Sequence, residues 1–277
     1  MAMIGIDGAL VEHAWFHPVV RNDSKLKAPI VFLHHGFGCV ADWKSFPSKV
    51  ADATGRSALV YSRRGCGASS ALPFPRTEAY LHDEASGFLP LLLDRLGMAR
   101  CHLYGHSDGA TIALLFASAF PDRALASVVE APHVFAEEMT LRGFAALNER
   151  YETDATLRRK ISRFHRDPDG AFYAWSNAWL LPEFRSWTIV DELALLSQPL
   201  LVIQGAVDPF GSMAHARLIA GRSGRIPIVV ELARCGHSSH TESEAETLQL
   251  VTKFMEWLAP YRRRMIALVE RGREVGR

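Results

Sequence analysis

The sequence predicts an α/β fold, a mostly parallel sheet flanked by helices, and three observations lead there. Short apolar runs, Ile30–Leu33, Ala58–Tyr61, Leu200–Gly205 and Ile228–Leu232, alternate with stretches of helical periodicity. That rhythm belongs to a parallel sheet covered on both faces, since its crossover helices bury both sides. Each run then breaks into polar or glycine-rich sequence, and ligands of such sheets bind beyond the carboxyl ends of the strands. The third observation is the stretch 101–120, Cys-His-Leu-Tyr-Gly-His-Ser-Asp-Gly-Ala-Thr-Ile-Ala-Leu-Leu-Phe-Ala-Ser-Ala-Phe. It reads as a strand, a sharp turn with Ser107 at its apex, and a helix closed by Pro121.

In chain order, residues 9–16 form a first strand leading to a polar turn at Asn22-Asp23-Ser24. Pro29 opens the run Ile30–Leu33, which breaks into His34-His35-Gly36-Phe37-Gly38. A helix covers Trp43 to Thr54 and stops at Gly55; the strand Ala58–Tyr61 leads into Arg63-Arg64-Gly65-Cys66-Gly67-Ala68-Ser69. Residues 77–96 carry a helical pattern with Gly97 just past the end, where a left-handed cap is favoured. After the stretch 101–120, Ala124 to Val129 is a strand ending in Glu130. Strands 200–205 and 228–232 follow, and the last helix covers 242–258.

Between 134 and 194 the strand rhythm stops. This stretch holds Phe144, Trp175, Trp179 and Trp187 on mostly helical sequence. It predicts a helical cap (lid) inserted into a core domain made of residues 1–133 and 195–277. Most of its aromatic residues pack the cap onto the core, and a minority line an apolar pocket.

Bulk properties exclude several classes. A 277-residue chain with 48% hydrophobic and 22% charged residues can bury a large core and is not disordered. A net charge of +1 gives no electrostatic footprint for nucleic acid or an anionic membrane. The arginines at 262–264, 271, 273 and 277 read as a solvated helix face. The start, Met-Ala-Met-Ile-Gly-Ile-Asp, lacks a basic segment followed by an apolar run, and no stretch is apolar enough to span a bilayer. Cys39, Cys66, Cys101 and Cys235 lack metal-ligand spacing, so the expectation is a cytoplasmic protein with reduced thiols. Cys39 is expected to be buried and inert.

The chemistry begins at Gly105-His106-Ser107-Asp108-Gly109. Gly-x-Ser-x-Gly arises by chance in roughly one chain in ten of this length, so the motif needs company. Its context supplies that: between strand and helix it is a nucleophile elbow, with glycines where the two elements approach and Ser107 pushed into the open. A serine needs a base, and the base an orienting acid, each following a later strand. Asp208 follows strand 200–205 and His237 follows strand 228–232. Glu130 is the rival acid and His240 the rival base; His237 is favoured because it follows Gly236 at the strand exit. The expected oxyanion donors are the backbone N–H groups of Asp108 and of Phe37 in the His35-Gly36-Phe37-Gly38 turn. His34, His35 and His106 read as bracing residues. For substrate contacts the sequence offers His35, Gly36, Trp175 and Trp179; no metal site or phosphate-binding loop competes.

Together, His35-Gly36-Phe37-Gly38, Arg64-Gly65-Cys66-Gly67-Ala68-Ser69, Gly105–Gly109, Asp208 and Gly236-His237 resemble the α/β-hydrolase superfamily over about residues 10–258. The resemblance implies an eight-stranded, mostly parallel sheet with a helical cap, a Ser-His-Asp triad and no cofactor. Ser62-Arg63 departs from it, since many members have an Asp shortly before the Arg-Gly-x-Gly piece. Serine at the elbow separates the chain from the haloalkane dehalogenase and epoxide hydrolase branches, which use a carboxylate there. The expected activity is carboxylesterase-like hydrolysis of a small or medium-sized ester or related acyl compound. The alternatives are a carbon–carbon bond hydrolase of the ring-cleavage-product type and a non-catalytic ligand receptor on the same fold. The expected partner is a small-molecule substrate, with no nucleic acid and no membrane, and a homo-oligomer is compatible with the sequence.

Overall fold

The computed structural model describes residues 1–20, 27–72 and 75–258. Eight strands form one sheet in the order β1-β2-β4-β3-β5-β6-β7-β8. They are Ala2–Ile6 (β1), Ala9–Phe16 (β2), Ile30–Leu33 (β3), Ala58–Tyr61 (β4), Cys101–His106 (β5), Ala124–Glu130 (β6), Leu200–Gly205 (β7) and Ile228–Leu232 (β8). β2 runs antiparallel to β1 and to β4, and every other pairing is parallel. β1 is an addition to the sequence reading. Its signal is Asp7-Gly8, with φ of 48° and 73°, the two-residue turn that suits the twist of a hairpin.

The topology fixes where a ligand can bind. The chain passes from β3 outward to β4, then returns past β3 to β5 on its other side. That reversal opens a crevice between the carboxyl ends of β3 and β5. β3, β4 and β5 are buried along their whole length, as apolar strands covered on two faces must be. On one face Phe32, Val60 and Tyr104 pack against helix α1 (Phe46–Thr54) and the helical residues 244–258. On the other, Val31, Leu59 and Leu103 meet α3 (Leu89–Arg95) and α4 (Asp108–Ala119).

Two expected helices are interrupted. The first splits into a 3₁₀ turn, Val40–Trp43, and α1, with Lys44 between them at φ 51°. The 77–96 run becomes α2 (Tyr80–His82), a π-helical turn (Asp83–Phe88) and α3. Pro90 accounts for the wider turn, since it has no N–H to give and crowds the carbonyl four residues back. Gly97 ends the run at φ 68°.

Between β6 and β7 lies a helical insertion of α5 (Glu138–Thr153), α6 (Ala155–Ser162) and α7 (Pro168–Trp179). Asp154 caps α6 and Asp167 caps α7, each accepting from backbone N–H groups of the first turn. A bridge between Phe135 and Thr188 ties the two ends of the insertion together. All four cysteines are buried and free, and burial pushes the Cys39 thiol up to about 12. No helix among the described residues is long and apolar enough to cross a membrane. The Asn22–Ser24 turn and the C-terminal arginines lie outside the described residues.

Candidate active site

Ser107 sits between β5 and α4 at φ 56°, ψ −120°, a conformation that costs a non-glycine residue about 1–3 kcal/mol. The neighbours hold it there. Its N–H donates to the Glu130 carbonyl at 2.9 Å, and its own carbonyl accepts from Ala110 at 2.8 Å. The flanking glycines are obligatory: a Cβ on Gly105 would come within 2.2 Å of the Gly109 carbonyl oxygen, and one on Gly109 within 1.9 Å of that of Leu33.

His237 follows β8, and its Nδ1 lies 2.8 Å and 3.0 Å from the two oxygens of Asp208, which follows β7. A carboxylate only accepts, so Nδ1 carries the proton and Nε2 keeps the lone pair. Asp208 also accepts from Gln204 Nε2 at 2.9 Å and from the Phe210 N–H at 2.8 Å. Burial raises its carboxyl, but the charge and hydrogen bond of His237 and the Phe210 amide outweigh that and hold it below the usual range.

The rival pair is also formed, separately. Glu130 accepts from His240 Nδ1 at 2.9 Å, the His240 N–H at 3.0 Å and the Tyr104 hydroxyl at 2.7 Å. His106 stands between the pairs and donates from Nε2 to the His237 carbonyl at 2.9 Å. His106, Glu130 and His240 bring ligand atoms within 4.8 Å of one another, close enough to share a metal ion. The Glu130 oxygens are already occupied by three donors within the protein.

The loop after β3 is braced by His34, as expected, and by Arg63, whose part in it the sequence reading did not give. The guanidinium of buried Arg63 donates to the carbonyls of His34, His35 and Gly36, at 2.7, 2.7 and 3.1 Å. His34 Nε2 accepts from the Arg63 N–H at 3.0 Å, so its Nδ1 is the donor to the His35 carbonyl. Where the resemblance leads one to expect an Asp, Ser62 instead donates to Glu12 of β2 at 2.7 Å. Glu12 also accepts from Ala68, so the neighbouring strand supplies the acid. Neither the Phe37 nor the Asp108 amide donates to another protein group among the described residues.

A cavity of about 490 Å³ opens at this point, lined by Ser107, His237, Phe37, Phe144, Trp175 and Phe210 among others. His35 and Gly36 also line it. Trp175 packs so tightly on Gly36 that a Cβ there would fall 2.0 Å from the indole ring. Its Nε1 is buried with no partner among the described residues. Trp179 is fully buried and is not among the lining residues; its Nε1 donates to Asp108 at 3.1 Å. Asp108 also accepts from the Tyr80 hydroxyl, so this carboxylate ties the elbow to the insertion. A further missed residue, Glu242, accepts from the N–H of Gly236 at 2.7 Å and of Ser238 at 2.9 Å. It thereby clasps the loop on both sides of His237.

The chain belongs to the alpha/beta hydrolase family, whose model matches residues 30–250. It is 21% identical to a proline iminopeptidase of Lactobacillus crispatus over 285 residues, covering 87% of this chain and 94% of that protein. Among solved structures it resembles MGS-M2, an alpha/beta hydrolase enzyme from a Medee basin deep-sea metagenome library. That match has a TM-score of 0.73 at 17% identity, covering 92% of this chain and 97% of the other. The enol-lactonase of Burkholderia xenovorans LB400 is similar at a TM-score of 0.71 and 21% identity, over 92% and 100% of the two chains.

Proposed function

We propose that this hydrolase is a serine enzyme that cleaves a small or medium-sized ester or related acyl compound. The observation that carries the reading is one cavity lined by both the strained Ser107 and the His237 ring that Asp208 orients. In the proposed reaction, Ser107 Oγ attacks the acyl carbonyl while His237 Nε2 takes its proton. The Phe37 and Asp108 amides receive the developing oxyanion, and His237 passes the proton to the departing alkoxide. Water, deprotonated by His237, then attacks the acyl-enzyme; the acid leaves and Ser107 regains its proton. Residues 134–194 act as a cap over this site, on a core of 1–133 and 195–277. Phe144, Trp175 and Phe210 give the acyl group an apolar wall.

The iminopeptidase likeness raises an amide substrate with a free N-terminal amine, which needs an unengaged carboxylate to receive it. Glu242, the one carboxylate among the lining residues, already accepts a backbone N–H on each of its oxygens. Asp208, just behind the lining, is taken by His237, Gln204 and Phe210. That favours the ester reading. A fluorophosphonate probe tests it directly: a covalent adduct mapped to Ser107 is expected in the wild type and none in Ser107→Ala. A folded wild type that takes no label would overturn the assignment.

A further inference from the structure

A second cavity, of about 280 Å³, adjoins the first, and His35, Phe37, His106 and Ser238 line both. The chemistry of its walls is different. Where the first cavity is aromatic, the second carries Lys44 on the core side and Lys160 on α6. Both lysines are exposed, and the charge of Lys44 is felt by the neighbouring His240 imidazole. The acidic groups around the cavity are already committed. Asp42 accepts from His35 Nε2 at 2.5 Å; burial raises its carboxyl, but that hydrogen bond and the imidazole charge leave it below the usual range. Glu130, behind His240, is taken up by His240 and Tyr104.

The element over the cavity adds to the imbalance. Residues 155–166 hold Arg158, Arg159, Lys160, Arg163 and Arg166 and no acid. Arg158 is paired with Asp169 and Arg166 lines a different cavity, so Lys160 is the cation of that run that lines this one. In a chain of net charge +1, this is a local concentration and not a general basicity.

We infer that the second cavity holds the anionic end of the substrate. The natural substrate is therefore an acyl compound with a carboxylate or similar anionic oxygen group several bonds from the scissile carbonyl. This rests on the hydrolase reading above. The carbonyl lies at Ser107 between aromatic walls, the chain passes Phe37 and His35, and the anion lies between Lys44 and Lys160. A neutral ester of the same length fills the first cavity but leaves the lysines with water alone.

The test compares monomethyl adipate with methyl hexanoate, which match in chain length and differ in one carboxylate, by methanol release at low salt. Two mouth lysines acting together are expected to favour the anionic ester by about tenfold in kcat/KM. The preference should fall toward one in the Lys44→Gln/Lys160→Gln double variant, and in the wild type at 1 M salt, where charges are screened within about 3 Å. Free adipate should compete with methyl hexanoate in the wild type and lose that ability in the double variant. A wild-type ratio at or below one, or a ratio the double variant leaves unchanged, overturns the inference. So does activation of neutral-ester hydrolysis by free phosphate through the same lysines, which makes the cavity an effector site. Fluorophosphonate labelling separates the two levels. If Ser107 takes the label and the ratio fails, this inference alone falls; if Ser107 takes none, the hydrolase reading falls and this falls with it.

Discussion

Asp208–His237 and Glu130–His240 are built from the same kinds of group at nearly the same distance, 2.8 and 2.9 Å, with the His106 ring between them. Their surroundings differ. His237 faces the cavity that holds Ser107 with 14% of its side chain exposed, and its Nε2 has no partner within the described protein. His240 packs against Trp43 and Phe46 at the back of the second cavity, away from Ser107, and Glu130 beneath it is sealed. Burial lowers the His240 imidazole, but the Glu130 charge and hydrogen bond outweigh that and raise it, which holds the proton in place. Burial likewise raises Glu130, and the His240 charge outweighs it and leaves the carboxyl well below its usual range. A base has to give its proton up again, so a buried pair in which each partner favours the other's charged form is suited to cementing the β5–β6 region.

The widest separation between the pairs should come from removing each imidazole. His237→Ala is expected to lower kcat by about 10⁶-fold with little change in melting temperature, as losing a member of a cooperating catalytic set does. His240→Ala should do the reverse, lowering the melting temperature while much of the turnover survives. Steady-state kinetics beside thermal unfolding monitored by circular dichroism reads both. Asp208→Asn is the next step down. The amide can donate where the carboxylate accepted, so His237 loses the tautomer that leaves Nε2 free, and kcat should fall by about 10⁴-fold. Equal activity in Asp208→Asn and wild type would remove Asp208 from the mechanism.

Glu130→Gln tests the sealed pair. Leaving one partner of a buried pair uncompensated costs about 3 kcal/mol or more, so the melting temperature should drop by roughly 6–10 °C. The pH dependence follows from the two directions. Glu130 titrates lower in the folded chain than unfolded, so its contribution is present above about pH 4.3 and is lost as pH falls through the folded value. His240 titrates higher when folded, so its contribution is present below about pH 6.5 and is lost as pH rises through the folded value. The gap between wild type and Glu130→Gln should therefore be widest between about pH 4.3 and 6.5 and narrow on either side. A gap that is flat from pH 4 to 9 would show that the pair's charge contributes nothing.

The sequence carries one side of this comparison more openly than the other. Gly105-His106-Ser107-Asp108-Gly109 is readable because strain and close approach permit only glycine at its ends, a local constraint that leaves a local mark. Asp208 and His237 are readable because strand exits are where a parallel sheet presents side chains. The braces are not local. Glu12 reaches Ser62 across 50 residues, and Arg63 reaches the β3 loop across 27 to 29. No periodicity announces such contacts. Trp175 and Trp179 illustrate the same limit within a single helix. They are four residues apart on α7 and share a face, yet one lines the cavity while the other reaches past it to Asp108. Only the depth of packing separates them, and depth is a property of the assembled fold.

The smallest expected effect is the most selective. Glu242 is exposed and touches neither Asp208 nor the His237 ring; it accepts from the N–H groups on either side of His237. Replacing it tests whether the open pair depends on a held loop as the sealed pair depends on burial. Glu242→Gln keeps one oxygen acceptor and turns the other toward repulsion with an N–H, so one of the two backbone bonds is lost. Solvent can replace that bond, and stability should barely change. The His237 ring, however, gains freedom to drift from its position against Ser107, and small misplacements of a catalytic group cost rate. We expect kcat to fall by about three- to tenfold with KM unchanged, since the loop shapes the geometry around His237 more than the apolar walls of the cavity. Glu242→Ala should fall further along the same line. A change in KM alone would instead assign Glu242 to substrate binding, and no change in either constant would mean that the strand exit holds His237 unaided.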